Sequence, residues 1–143
     1  MITHDLNHWP LIVTVLRGAP TADEQLAFLD QFSRWLDRGE RFATLRIYAD
    51  SDSLLRPQGN GQEAKEWFQS NAERIAGLVL GMARVLPAAN LTEARPMPRL
   101  GVPAETFGAL DTALSWLIDD ILAPNGIQMT RQSLGDLHGL MSP

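Results

Sequence analysis

Short apolar, β-branched runs that alternate with helix-period segments limit this chain to very few architectures. The runs are "LIVTVL" at 11–16, "FATLRIYA" at 42–49 and "GLVLGMARVL" at 77–86. Each has the length and residue types of a strand. The third is apolar almost throughout, as expected of a strand covered on both faces near the middle of a sheet. Between the first two lies "TADE", a capping box in which Thr21 caps a helix and Glu24 reaches back. Leu26, Leu29, Phe32 and Leu36 follow at helical spacing, Phe28 and Trp35 widen the stripe, and Gly39 supplies a stop. Between the second and third, Asn60 with Glu63 offers another cap, and Ala64, Trp67, Phe68, Ala72 and Ile75 mark an inner helix face. Strand, helix, strand, helix, strand is the order that gives parallel β-α-β crossovers.

The flanks complete the pattern. "ITHDL" at 2–6 reads as a short edge strand that pairs back across the turn at "NHWP", antiparallel to its neighbour. "PAETFG" at 103–108 reads as a short strand. "ALDTALSWLIDDIL" is an amphipathic helix built on Leu110, Ala113, Leu114, Leu117 and Ile121. "PAANLTEARPMPRLG" starts a short helix at Pro87 that Pro96 and Pro98 stop. From Pro124 the chain carries three glycines and no helical period. The expectation is one α/β domain over residues 1–123, with a four- to five-stranded, mostly parallel sheet and packed helices. Residues 124–143 are expected to form a loosely attached tail.

Composition removes whole classes of function. The 143 residues carry a net charge of −5 and a single lysine, Lys65. Nucleic-acid and anionic-membrane surfaces need clustered cations, so neither is expected as a partner. The absence of cysteine rules out disulfides, thiol nucleophiles and thiolate metal sites. No apolar run approaches the length of a membrane span, and the start, "MITHDLNHWP", lacks the basic and apolar regions of a signal peptide. A cytoplasmic protein is the expectation.

Three stretches carry a family likeness. "VLRGAPTADEQLAFLDQFSRWLDRGERFATLRIYAD" resembles the opening of the SpoIIAA-like (STAS/SEC14-type) domains of bacteria, which run a strand into Gly-x-Pro-Thr, an acidic helix start and an Arg-Gly helix end. "WFQSNAERIAGLVLGMARVLPAAN" is similar to their second helix and central strand, and "VPAETFGALDTALSWL" to their closing strand and helix. The resemblance covers roughly residues 2–122. It implies helices packed on a four- or five-stranded sheet and no common activity. Members of the broader group act as phosphorylatable regulators or bind lipids, nucleotides or partner proteins. Their acceptor serine lies in an Asp-Ser-Ser-Gly type turn that leads into a helix. The nearest counterpart here is Asp50-Ser51-Asp52-Ser53, which Leu54 follows in place of glycine.

That quartet ends a strand, where α/β folds place their ligands. Two chemistries compete for it. Asp50 and Asp52 could serve phosphoryl transfer, but such enzymes need a later lysine and a further acidic pair at a strand end. Lys65 and Asp119-Asp120 both fall inside helices. The plainer reading is a polar turn whose side chains bond the local backbone. Arg84, Arg95 and Arg99 could frame an acidic ligand near the exit of the third strand, and "GNG" at 59–61 could offer backbone donors to an anion. His4 and His8 flank Asp5, but a zinc site needs a third ligand that nothing nearby in sequence supplies. No Ser-His-Asp arrangement is evident. Trp35, Trp67, Trp116 and Phe107 read as packing residues, and Trp9 as exposed.

The sequence therefore predicts a non-enzymatic, STAS-like binding or regulatory module for a partner protein or small ligand, with Asp50, Ser51, Asp52, Ser53 and Arg84 as the site. A small phosphoryl-transfer enzyme and a self-associating structural protein, such as a homodimer, are the rivals. No catalytic residue, metal or cofactor is assigned.

Overall fold

The computed structural model describes residues 1–57, 59–95, 97 and 100–141. Arg99, Pro96 and Pro98, used in the sequence reading, lie outside the described residues. The fold is α/β. Strands β1 (Ile2–Asp5) and β2 (Leu11–Leu16) precede helix α1 (Ala22–Asp37), then come β3 (Phe42–Tyr48), α2 (Gly61–Leu78), β4 (Val79–Val85), β5 (Ala104–Phe107) and α3 (Leu110–Trp116). Among the described residues five strands form one sheet in sequential order. The β2–β3, β3–β4 and β4–β5 pairs are parallel, while β1 pairs antiparallel with β2. The sheet is thus mixed rather than mostly parallel. The link between β1 and β2 is too short for a crossover, so β1 folds straight back.

Two apolar layers sandwich the sheet. Phe28, Phe32, Trp35 and Leu36 of α1 and Ile75 of α2 pack with Ile12, Phe42 and Met82 on one face. On the other face Leu110, Ala113 and Leu114 of α3 pack with Leu11, Val13, Leu45 and Val85. The capping box of α1 is formed: Glu24 N donates to Thr21 Oγ1 at 3.1 Å, and Thr21 N donates to Glu24 Oε1 at 3.1 Å. Asn60 does not cap α2 through its side chain. It is buried, and its Nδ2 donates to Gln25 Oε1 at 2.7 Å, tying the start of α2 to α1. Trp9 is not free either: it packs beside Phe42, with the Arg38 guanidinium 4.3 Å from its ring centre.

After Trp116 the last helix widens into a π-helical turn over Leu117–Leu122 and tightens into a 3-10 turn over Ala123–Asn125. Widening keeps Leu117, Ile121 and Leu122 all in the core while Asp119 and Asp120 face solvent. The turn lies so close to β4 that a Cβ on Gly81 would sit 2.8 Å from Ile121 side-chain atoms, which only glycine avoids. Gly81 also lies in a β-bulge. Phe42 pairs with Val79 but Thr44 with Met82, so β4 spends one residue more than β3 over that step. The extra residue reverses which side chains of β4 face α1 and α2.

The tail expectation fails for the described part of residues 124–143. Leu134 and Leu137 are fully buried in the α3-side core, and Ile127, Met129 and Leu140 pack against it. Polar contacts hold the outside of the segment. Asp111 takes Arg131 and His138 at 2.9 Å each, and both contacts hold its carboxyl below the usual carboxylate range, the His138 hydrogen bond most. Arg17 donates to the Leu140 carbonyl.

Candidate functional site

The quartet after β3 forms a tight turn. Asp50 caps a 3-10 turn over Ser51–Leu54, accepting from Ser53 N at 2.9 Å. Its two carboxylate oxygens also accept from Gly18 N at 3.1 and 3.0 Å, joining the loops that leave β2 and β3. Ser53 is buried and its hydroxyl donates to the Asp50 carbonyl at 2.5 Å. Ser51 donates to Asn90 Oδ1 at 2.9 Å across the loop that follows β4. Asp52 is exposed. Asp50 therefore spends its lone pairs on backbone N–H groups, the arrangement of a polar turn. We expect Asp50→Ala to cost about 1–2 kcal/mol in urea unfolding, as for a lost cap, and Asp52→Ala to stay within about 0.5 kcal/mol. Equal costs at the two positions would contradict this division of roles.

Arg84 stands apart from the quartet. It lies on β4 beside Arg46 of β3 and Thr106 of β5, and Arg46 in turn faces Thr14 of β2 and His4 of β1. One polar side chain from each strand thus forms a row across the sheet, on the α1–α2 side. The bulge at Gly81 makes this possible, because without it Ala83 rather than Arg84 would share the face of Arg46. Arg84 Nε donates to Thr106 Oγ1 at 2.6 Å, and its Nη2 donates to the Arg95 carbonyl. The Arg46 guanidinium lies 4.8 Å from the Phe28 ring centre. His4 Nδ1 and Thr14 Oγ1 are 2.8 Å apart, and the imidazole is edged by Phe28 and Trp35.

The electrostatics of this row are unbalanced. Among the described residues neither Arg46 nor Arg84 has a carboxylate within ion-pair distance. Burial, with the Arg46 charge beside it, pushes the Arg84 guanidinium below its ordinary value, while Tyr48 opposes the shift. Burial and then Arg46 push the His4 imidazole down, so the neutral ring is favoured. The Arg46 Nε and Thr44 Oγ1 are buried with no hydrogen-bond partner among the described residues. An unmet donor of this kind costs about 1–3 kcal/mol. Beside Arg84 a cavity of about 680 Å³ opens between β5 and the loop that precedes it, walled by Arg95 and Thr106 and by apolar Leu91, Met97, Leu100 and Val102.

The sequence assigns Arg84 to one site with the quartet, from which it stands apart, and does not single out Arg46 or Thr106. The signal was present: "FATLRIYA" and "GLVLGMARVL" each carry one arginine near the exit of an otherwise buried strand, and buried charge demands a partner. The histidine reading also changes. His4 faces α1, whereas Asp5 and His8 converge with Asp136 from the far end of the chain, with ligand atoms within 4.8 Å of one another. The third ligand missing near His8 in sequence is thus supplied in space.

No family model, curated protein or solved structure matches the chain. No helix of the described residues is long and apolar enough to cross a membrane.

Proposed function

We propose that the chain is a non-enzymatic, SpoIIAA-like (STAS-type) binding module whose ligand is a small organic anion held by Arg46 and Arg84. The observation that carries this reading is the arginine pair itself: two neighbouring, half-buried guanidiniums on adjacent strands, neither of them, among the described residues, within ion-pair distance of a carboxylate. Guanidinium forks match carboxylate and phosphate geometry, and an anion here relieves both the like-charge repulsion and the unmet Arg46 Nε donor. The site lies toward the C-terminal ends of parallel strands, where open α/β sheets bind ligands. The apolar wall of the adjoining cavity favours a carboxylate or phosphate with a short hydrocarbon body. Phosphoryl transfer at Asp50 and Asp52 is disfavoured, since the Asp50 oxygens already accept backbone hydrogen bonds.

The test is isothermal calorimetry with hexanoate and with inorganic phosphate at matched ionic strength. Saturable binding of at least one anion is expected. Arg46→Gln and Arg84→Gln should each weaken it by about tenfold or more, the value of one charge-assisted hydrogen bond. Ligand-free Arg46→Gln protein should be no less stable than the parent, because a like charge is removed. No saturable heat with either anion, or undiminished binding in both variants, would sink the reading.

A further inference from the structure

We propose that Asp5, His8 and Asp136 form a binding site for a divalent first-row transition-metal ion, which clasps the C-terminal segment to the edge of the sheet. The three residues come from opposite ends of the chain. Asp5 ends β1, and His8 sits in the turn that returns to β2. Asp136 lies in the 3-10 turn over Gly135–Met141, between Leu134 and Leu137, and both leucines are fully buried. The position of Asp136 is therefore set by core packing and not by the contact with His8. β1 pairing fixes Asp5 in the same way, since Asp5 is in register with Val13.

The geometry suits a metal ion. One ligand atom from each residue lies within 4.8 Å of the others. His8 Nε2 is 3.0 Å from both Oδ1 and Oδ2 of Asp136. With metal–ligand bonds of about 2.0–2.2 Å, neighbouring ligand atoms stand about 2.8–3.6 Å apart, the shorter end for octahedral and the longer for tetrahedral angles. The His8–Asp136 edge already meets that spacing, and only the Asp5 carboxylate has to move closer. Asn7 N donates to Asp5 Oδ1 at 2.7 Å, which orients the carboxylate and leaves Oδ2 for the ion. A cavity of about 370 Å³ lined by Asp5, Leu6, Asn7 and Leu140 adjoins the site on the Asp5 side.

The chemistry selects the ion class. An imidazole nitrogen with two carboxylates suits Zn²⁺, Co²⁺ or Ni²⁺ better than Mg²⁺, which prefers oxygen donors alone. Two carboxylates balance the charge of a divalent ion, and the neutral imidazole adds none. In its absence His8 and Asp136 make a hydrogen bond that the ion replaces with two metal–ligand bonds. The site faces the α3 side of the sheet, opposite the arginine row, so cation and anion sites do not compete.

Titration of the full chain with Co²⁺, followed by visible absorption and by thermal unfolding, tests the proposal. One equivalent should bind, with d–d bands and a raised midpoint of unfolding. Asp136→Asn, close in shape to the parent, should weaken Co²⁺ by at least about tenfold, the scale seen when a metal site loses a supporting group. His8→Ala should do the same, while His138→Ala, which lies outside the cluster, should bind as the parent does. Absence of stoichiometric binding by the parent chain overturns the proposal. So does unchanged affinity in folded Asp136→Asn, or displacement of Co²⁺ by an equal concentration of Mg²⁺.

Discussion

Cutting the chain after Ala123 is expected to leave no cooperatively folded protein, or one destabilised by at least about 4 kcal/mol. The segment removed carries Leu134 and Leu137, both fully buried among residues of β2, β3, β4 and α3. Truncating one buried leucine to alanine costs about 2–5 kcal/mol, and deletion removes two whole leucines together with the cover they provide. It also strips Arg131 and His138 from Asp111 and Asp136 from His8. Those exposed pairs add little, so the leucines dominate. Near-UV circular dichroism and urea unfolding of the truncated chain decide the matter. A truncated protein with the stability of the parent would mean that the segment rests on the surface.

Leu117→Ala is expected to lower stability by about 2–5 kcal/mol, from lost burial plus the cavity left behind. Leu117 is fully buried in the α3-side layer and begins the π-helical turn that lies against Gly81. The sheet on one side and the helix backbone on the other restrict collapse into the gap, so the cost should fall in the upper part of that range. Urea unfolding with an unchanged m-value gives the number directly. A loss below about 1 kcal/mol would show that the last helix is not docked on the sheet as described.

What the sequence disclosed follows from how local each signal is. The strands, the Thr21 capping box and the turn at Asp50 depend on neighbours within a few residues, and all are formed. The C-terminal segment gives no such signal because its period is not that of an α-helix. Leu134, Leu137 and Leu140 recur every third residue, and the last two lie on one side of the 3-10 helix that Leu134 leads into. Asn60 looked like a cap by type, but Gln25 claims its side chain from another helix. The bulge at Gly81 left no mark in a run that is apolar on both sides of the break. Without it the alignment of Arg46 with Arg84 could not be deduced. Asp136 beside His8 is likewise a product of tertiary folding alone.

The row of polar side chains has a bearing on how the chain finds its pairing. Thr44 and Tyr48 aside, the other side chains of β3 and β4 are apolar on both faces, so sliding either by one residue would bury nearly as much hydrocarbon as the native alignment. Arg46 and Arg84 break that degeneracy. A one-residue slip of β3 turns Arg46 toward Leu114 and Leu117 and places a guanidinium in a dry layer. The arginines that suit an anion therefore also act as alignment marks, penalising misfolded sheets in a strand pair whose hydrophobicity alone would accept them.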